Sequence, residues 1–355
     1  MSMSESLEQL SKSLGTDWKH IRRASEASSA IRRSLESELK AFTSEDSSFV
    51  VLGSLARNEF TSGSDLDWML LVDGFASSAH MDHALAIERH LADKGLKGPG
   101  AERTFGAPVF SHDLVHYIGG EDDTNANLTR RLLLLLESSA VGRGEAYSRT
   151  IRNVLTRYVV EDFGWMNARN PSNVPRFLHN DVARFWRTMA VDFAYKRKKR
   201  VGKGWALRTA KLRLSRKLIY GAGLLMCFSP ASVPELRDIP REEDRRTAAY
   251  KVIEHLAAFV GRPPLWTFAD FFIQDDSRMG TAKKFFDVYD GFLALLADNN
   301  KRERLENLQH DEIATDPIYE TARELGHDFQ DCLNEIFFEP GPRGLYELTK
   351  TYGVF

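Results

Sequence analysis

The sequence predicts an α+β chain, a small α/β unit with a mixed sheet followed by a larger all-helical domain, and three observations carry that expectation. The apolar period switches from helical spacing to short β-rich runs at residues 49–52 and 66–72. Both runs fall in the first third of the chain, with helical spacing before and after them. Beyond Gly119-Gly120 the helical periods continue almost to the end, with no internal repeat or low-complexity tract.

Taken in order, Leu7, Leu10, Leu14, Ile21, Ile31, Leu35 and Leu39 predict two amphipathic helices broken near Gly15-Thr16-Asp17. The first strand ends at Gly53, a polar loop spans 54–64, and the second strand is closed by Asp73-Gly74. A helix over 78–95 carries Ala84, Ile87, His90 and Leu91, and a Gly/Pro-rich loop leads to a short strand at Pro108-Val109-Phe110. Helices then follow over 128–139, 145–160, 174–197, 205–226, 243–260, 281–297, 301–309 and 317–337. This divides the chain into N-terminal helices (1–48), the α/β unit (49–120), a helical domain (121–240) and a C-terminal helical region (241–355).

Of 355 residues, 43% are apolar, and 48 Lys+Arg stand against 50 Asp+Glu. A formal charge of −2 excludes a wholly basic nucleic-acid binder and an acidic disordered chain. The distribution is uneven: between Arg176 and Tyr220 fourteen Lys/Arg face only Asp181 and Asp192, a local charge of +12 that calls for an anionic ligand. Cys227 and Cys332 form no metal or redox spacing, which points to a reducing, cytoplasmic setting. No apolar run approaches the ~18 residues of a membrane span, and the Met1 start lacks a secretory pattern. The phosphate-loop, dinucleotide, zinc-helix and nucleophile-elbow motifs are all missing.

The informative stretch runs from Gly53-Ser54 through Arg57, Glu59, Thr61 and Ser64 to Asp65-Leu66-Asp67. Strand alternation puts Asp65 and Asp67 on one face, where two carboxylates repel unless a cation lies between them. Hard oxygen ligands of this kind suit Mg²⁺, which takes one or two carboxylates plus substrate phosphates. Gly53-Ser54, just after a strand, offers a tight turn whose N–H groups and hydroxyl suit a phosphate.

This pattern resembles the signature of the DNA polymerase β-like nucleotidyltransferase superfamily, and within it the bacterial GlnD-like, DUF294-type branch, whose loop reads much like Gly-Ser-x-Ala-Arg-x-Glu-x-Thr-x-Gly-Ser-Asp-Leu-Asp. The resemblance is carried by residues 49–73. It implies that Gly53, Ser54, Arg57 and Ser64 bind a nucleoside triphosphate, NTP or dNTP, and that Asp65 and Asp67 hold Mg²⁺ or Mn²⁺. It also implies a third acid on a later strand, for which Asp113 is the first candidate and Glu102 the second. Asp113 would then share both the catalytic and the metal-binding role.

The basic block supplies a second wall. Arg176, Asn180, Arg184 and Arg187 share one helix stripe, and Arg208, Lys211 and Ser215 share another. Helices after the catalytic unit commonly offer Lys and Ser to the triphosphate tail in the superfamily, and Lys211 and Ser215 resemble that element. Arg184, Arg187 and Arg208 are candidate contacts for phosphates, including those of a nucleic acid. Trp186, Tyr195, Trp205 and Tyr220 lie among the charges, where bases would stack or the core would take them.

The expectation is an Mg²⁺-dependent, template-independent transfer of a nucleoside monophosphate to a hydroxyl, with an oligonucleotide signal of bacterial antiviral defence as one outcome. Protein nucleotidylation (AMPylation or UMPylation) and addition to RNA ends are alternatives, and so is a non-catalytic module that binds nucleotide or nucleic acid. A homodimer is a further expectation, and a protein interaction scaffold is a third reading, favoured only if residues 4–41 dominate a dimer interface.

Overall fold

Strands β1 (Ser47–Leu52), β2 (Asp67–Val72), β3 (Pro108–Phe110) and β4 (Ser138–Val141) form one mixed sheet of order β3-β2-β1-β4. The computed structural model describes residues 5–100, 105–162, 173–199, 204–237, 239, 245–309, 311–342 and 344–353. β1 runs antiparallel to both β2 and β4, pairing Leu52 with Asp67 on one side and with Ser138 on the other. β3 runs parallel to β2, with Val72 opposite Phe110. Asp67, β1's last residue and β4's first therefore share one end of the sheet.

The helices in chain order are α1 (Glu5–Ser13), α2 (Lys19–Leu39), α3 (Gly53–Ala56), α4 (Ser78–Asp93), α5 (Ser111–His116), α6 (Asn125–Leu136) and α7 (Glu145–Val160). They continue as α8 (Arg176–Lys199), α9 (Trp205–Lys211), α10 (Lys217–Ser232), α11 (Pro234–Arg237), α12 (Arg245–Ala257) and α13 (Pro264–Gln274). The last are α14 (Met279–Ala297), α15 (Asn299–Asn307), α16 (Pro317–Phe338) and α17 (Leu345–Leu348). A single π-helical turn, Leu212–Arg216, joins α9 to α10 without a break.

Both faces of the sheet are covered, which explains why its strands read as unbroken apolar runs. Phe49, Val51, Trp68 and Leu70 pack under Leu35 and Leu39 of α2 and Ile87 and Leu91 of α4. The alternate residues Val50, Leu52, Met69 and Leu71 face Leu132 of α6 and Val154 and Leu155 of α7. A third core unites the C-terminal helices with Leu7 and Leu10 of α1 and Trp18 and Ile21, so the N-terminal helices clasp α13 and α14. This clasp holds α14 and α15 against the loop that links β1 to β2. No helix among the described residues is long and apolar enough to cross a membrane.

The structure departs from the sequence reading at α13 (Pro264–Gln274), which that reading left out, and at two elements beside the sheet. Residues 54–56 belong to the short helix α3 instead of a loop. The helical reading of 128–139 runs past the true end of α6: Glu137 leaves helical geometry at φ −150°, ψ 55°, and the chain turns into β4. A four-residue edge strand containing two serines carries too little alternation to separate from the Leu132–Leu136 run before it.

Candidate active site

β1 delivers Gly53 and β2 delivers Asp67 to the same end of the sheet, and Gly53 is fixed there for two reasons. Its φ is +63°, the left-handed region that disfavours side chains, and a Cβ built on it would lie 3.0 Å from Oδ2 of Asp67. The turn into α3 thus passes directly beneath the Asp67 carboxylate. Ser54 follows with a hydroxyl that makes no hydrogen bond within the described residues.

Asp67 lies mostly buried, and its carboxyl is pushed up to about 6. Burial is the main cause; Glu137 and Asp65 add to it, while Arg216 and Arg57 pull the other way. Asp65 is more open and carries the Lys97 ammonium on Oδ1 at 2.6 Å. The backbone of Lys97 also accepts a hydrogen bond from Leu66 N–H at 2.8 Å, so the loop after α4 is tied to the residue between the two aspartates.

Opposite the sheet stands the basic wall. Lys211, at the entry to the π turn, has its ammonium pushed down to about 8 by burial, then by Arg302 and Arg216, against the opposing pull of Asp65. It makes no ion pair within the described residues. Arg302 of α15 reaches the motif loop because Gly63 has no side chain: a Cβ there would lie 2.7 Å from the Arg302 Nε. The lysine of the basic block therefore lies within electrostatic reach of Asp65, the first of the sequence-predicted acidic pair. Ser215 is also placed in this wall, but its hydroxyl donates to the Lys211 carbonyl at 3.1 Å.

Behind the pair runs a buried polar chain. Tyr289 of α14 donates to Glu59 Oε1 at 2.9 Å, and Arg57 Nε donates to Glu59 Oε2 at 2.9 Å. Arg57 also pairs with Glu137, whose other oxygen accepts from Arg216 at 3.2 Å. Burial alone would lower the Arg57 value, but Glu59 and Glu137 more than offset it and hold the guanidinium charged. Arg57 thus sits beside the site as a fastener of the motif loop. Ser64 closes a turn in that loop, its Oγ accepting from Thr61 N–H at 3.1 Å.

Glu137 is the residue that sequence reasoning missed, and Asp113 is the one it misplaced. β3 runs parallel to β2, so Asp113, in the first turn of α5 beyond β3, follows the end of the sheet that holds Val72. β2 alone separates that end from Asp67 by ~17 Å at ~3.3 Å per residue. Glu137 precedes β4 at the Asp67 end, but both its oxygens are engaged by arginines. Glu102 lies outside the described residues. Among the described residues, no group of three His, Cys, Asp or Glu is arranged to hold a metal.

The other basic candidates lie apart from the pair or are otherwise occupied. Arg184 contacts Asp123 through a side-chain pair at 3.3 Å and its carbonyl at 3.2 Å. Arg187 bears on Tyr220, which stacks on Trp186 at 5.5 Å between α8 and α10. Arg208 folds to within 3.9 Å of the Cβ position of Gly204. Trp205 packs against Tyr319 at 5.3 Å, so core contacts take these aromatic rings.

Residues 15–111 match the family model described as "Putative nucleotidyltransferase DUF294". The span runs from ahead of α2 to the start of α5 and contains Gly53, Ser54, Asp65 and Asp67; Lys211, Arg216 and Glu137 lie beyond it. No curated protein and no solved structure matches the chain.

Proposed function

Residues 15–111 are a domain of the DUF294 nucleotidyltransferase family, and on that premise we propose that the chain transfers a nucleoside monophosphate from an NTP or dNTP to an acceptor hydroxyl. The observation that carries the reading is the Gly53-Asp67 corner together with Lys211, a mostly buried ammonium within electrostatic reach of Asp65 and with no ion-pair partner among the described residues. An unpaired buried cation within reach of Asp65 suits a metal-bound polyphosphate, which offers each side its complement.

The donor set fits Mg²⁺ or Mn²⁺. Asp65 and Asp67 supply hard oxygens two residues apart, and Gly53 leaves the space in front of Asp67 free of side chain. Bound there, the metal would supply charge neutralisation for the phosphates. The chain's own residues do the rest. Gly53 and the free Ser54 hydroxyl receive the phosphate chain, and Lys211 and Arg216 draw its tail toward the helical wall. Arg302 and Arg216 add positive charge beside Lys211 and help lower its ammonium's value. Lys97 neutralises Asp65, a role that a metal held by Asp65 would otherwise fill. Positioning and charge account for the catalysis, as in phosphoryl transfers generally.

One observation favours a second reading, a module that binds nucleotide without turning it over. The third acid at the site end of the sheet, Glu137, is held by Arg57 and Arg216. A single experiment separates the two. The purified chain is incubated with Mg²⁺ and each of the four NTPs and four dNTPs, and pyrophosphate and nucleotide products are followed by mass spectrometry. Metal-dependent pyrophosphate release that disappears in Asp65→Asn/Asp67→Asn supports transfer. Tight NTP binding with no release under any of these conditions, with or without added RNA or protein acceptors, supports the binding module.

A further inference from the structure

A cavity of about 550 Å³, lined by none of Gly53, Asp65, Asp67 or Lys211, opens against the motif loop between the N-terminal half of α2, residues 60–62, and the junction of α14 with α15. Its size falls in the ~300–1,000 Å³ range of small-molecule sites, and its place between two packed units is where such sites occur. The hollow exists because Ala24 and Ala27 of α2 face Ala294 and Ala297 of α14, and short side chains cannot fill the gap that Leu or Phe would close. With Phe60 they give the cavity one apolar wall.

The rim is cationic. Arg23 and Lys301 are exposed, and Arg23 makes no ion pair within the described residues. His20 adds a ring whose nitrogens make no hydrogen bond there. Asp298 is the one carboxylate in the lining; it accepts from the N–H groups of Asn300 and Lys301 at 3.0 and 3.1 Å, capping α15, and reaches Lys301 Nζ only at 3.9 Å. Thr61 and Ser62 bring hydroxyls from the motif loop itself. A ligand that uses all of this has an anionic head, hydroxyls and a flat apolar body.

We infer that this cavity is a second ligand site for a nucleoside monophosphate. Its phosphate lies at Arg23, Lys301 and His20, its ribose at Thr61 and Ser62, and its base against Phe60 and the alanine wall. An inorganic anion leaves the apolar wall unused, and a nucleoside leaves the cationic rim unused. The ligand would touch the loop whose Thr61 is hydrogen-bonded to Ser64, the neighbour of Asp65. The site does not depend on catalysis at the candidate active site, so it stands or falls separately from the proposed activity.

The test is calorimetric titration of the full chain, without NTP or metal, with AMP, GMP, CMP and UMP, and with adenosine and inorganic phosphate as controls. At least one monophosphate should bind saturably, at least tenfold more tightly than adenosine or phosphate. Arg23→Glu/Lys301→Glu, on exposed positions, and Ala294→Phe, which fills the hollow, should each weaken that binding tenfold or more, whereas Lys211→Ala at the candidate active site should leave it within twofold. The inference is overturned if no monophosphate binds, or if Lys211→Ala abolishes binding while the charge-reversed variant retains it.

Discussion

Two buried arginines organise this molecule in ways that look alike and serve different ends. Arg131 of α6 is fully buried; it pairs with Asp123 at 2.9 Å and with Asp181 at 3.0 Å, and its Nε donates to Tyr158 at 2.7 Å. Arg57 lies between Glu59 and Glu137, with Tyr289 completing the set through Glu59. The Arg131 centre binds α6, α7 and α8 to one another and closes on itself, apart from Arg184 at its edge. The Arg57 centre is open: Glu137 shares its second oxygen with Arg216, and Arg216, Glu137 and Arg57 all act on Asp67. A buried ion pair is weak evidence for stability in itself. What distinguishes the two is whether their charge reaches a group with chemistry to do.

The largest expected effect tests that distinction directly. Arg131→Met strands Asp123 and Asp181 in the interior and should lower unfolding free energy by about 3–5 kcal/mol, while activity per folded molecule stays unchanged. Arg57→Met should cost stability of the same order and also reduce turnover, because Glu59 and the motif loop lose their anchor. Chemical denaturation paired with pyrophosphate-release assays on both variants reads the two quantities. An equal loss of specific activity in both would erase the contrast.

Next in size is a substitution that should stabilise. The Asp67 carboxyl is pushed up to about 6 in the folded chain against 3.8 ordinarily, so at neutral pH its ionised form weighs against folding; the penalty fades as pH falls from about 6 and is gone below 3.8. At ~1.4 kcal/mol per unit, Asp67→Asn should gain up to about 3 kcal/mol at pH 7.5 and nothing near pH 3. Turnover should be lost at every pH. An Asp67→Asn chain no more stable than the parent at pH 7.5 would show that the carboxylate is not held against its own repulsion. The same substitution within the Arg131 centre, Asp123→Asn, should do the reverse and destabilise, since Arg131 and the Gly119 N–H hold that carboxyl below its ordinary value in spite of burial.

How much of this was legible in the sequence follows the same divide. Gly53, Ser54, Asp65 and Asp67 were readable because their chemistry is local: two strands, one turn and a fixed spacing bring them together whatever the rest of the chain does. Lys211 was legible as a charge on a helix stripe, but its coming within reach of Asp65 depends on the clasp of α1 and α2 on the C-terminal helices. Glu137 was hidden because strand order is not local. The search for a third acid followed the chain to β3, whereas the strand that reaches the site end of the sheet is β4, on the far side of β1. The signal available was one acidic residue ending a five-leucine run just before a serine pair, and it specified no direction. Arg57 and Arg184 were read as phosphate contacts because a sequence displays charge without displaying the carboxylate that meets it.

A smaller effect lies in the pH dependence. The free-enzyme profile of kcat/KM should rise with pH through about 6, as Asp67 ionises, and fall through about 8, as Lys211 loses its proton. Arg57 lowers both groups, so Arg57→Met should move both limbs upward by less than one unit. Arg302 acts strongly on Lys211, and Arg302→Met should raise the alkaline limb while leaving the acid limb in place. Arg131→Met should move neither. A shifted limb in the Arg131 variant would mean that the two buried centres communicate.

The smallest expected effect concerns the one pair at the site that is solvent-exposed. Lys97 is 70% exposed, and such a pair is worth ~0.2–1 kcal/mol, so Lys97→Met should leave thermal stability almost unchanged. The ammonium nevertheless occupies an oxygen that a divalent cation would use. Removing it should tighten Mn²⁺ binding severalfold, measured by electron paramagnetic resonance on the chain without nucleotide. Charge reversal makes the comparison sharper: Lys97→Glu should tighten Mn²⁺ further while weakening NTP, because it adds a third carboxylate where the triphosphate must pass. If Mn²⁺ affinity is the same in all three chains, the Lys97 contact is incidental, and Asp65 is as accessible to cations as its partial exposure suggests.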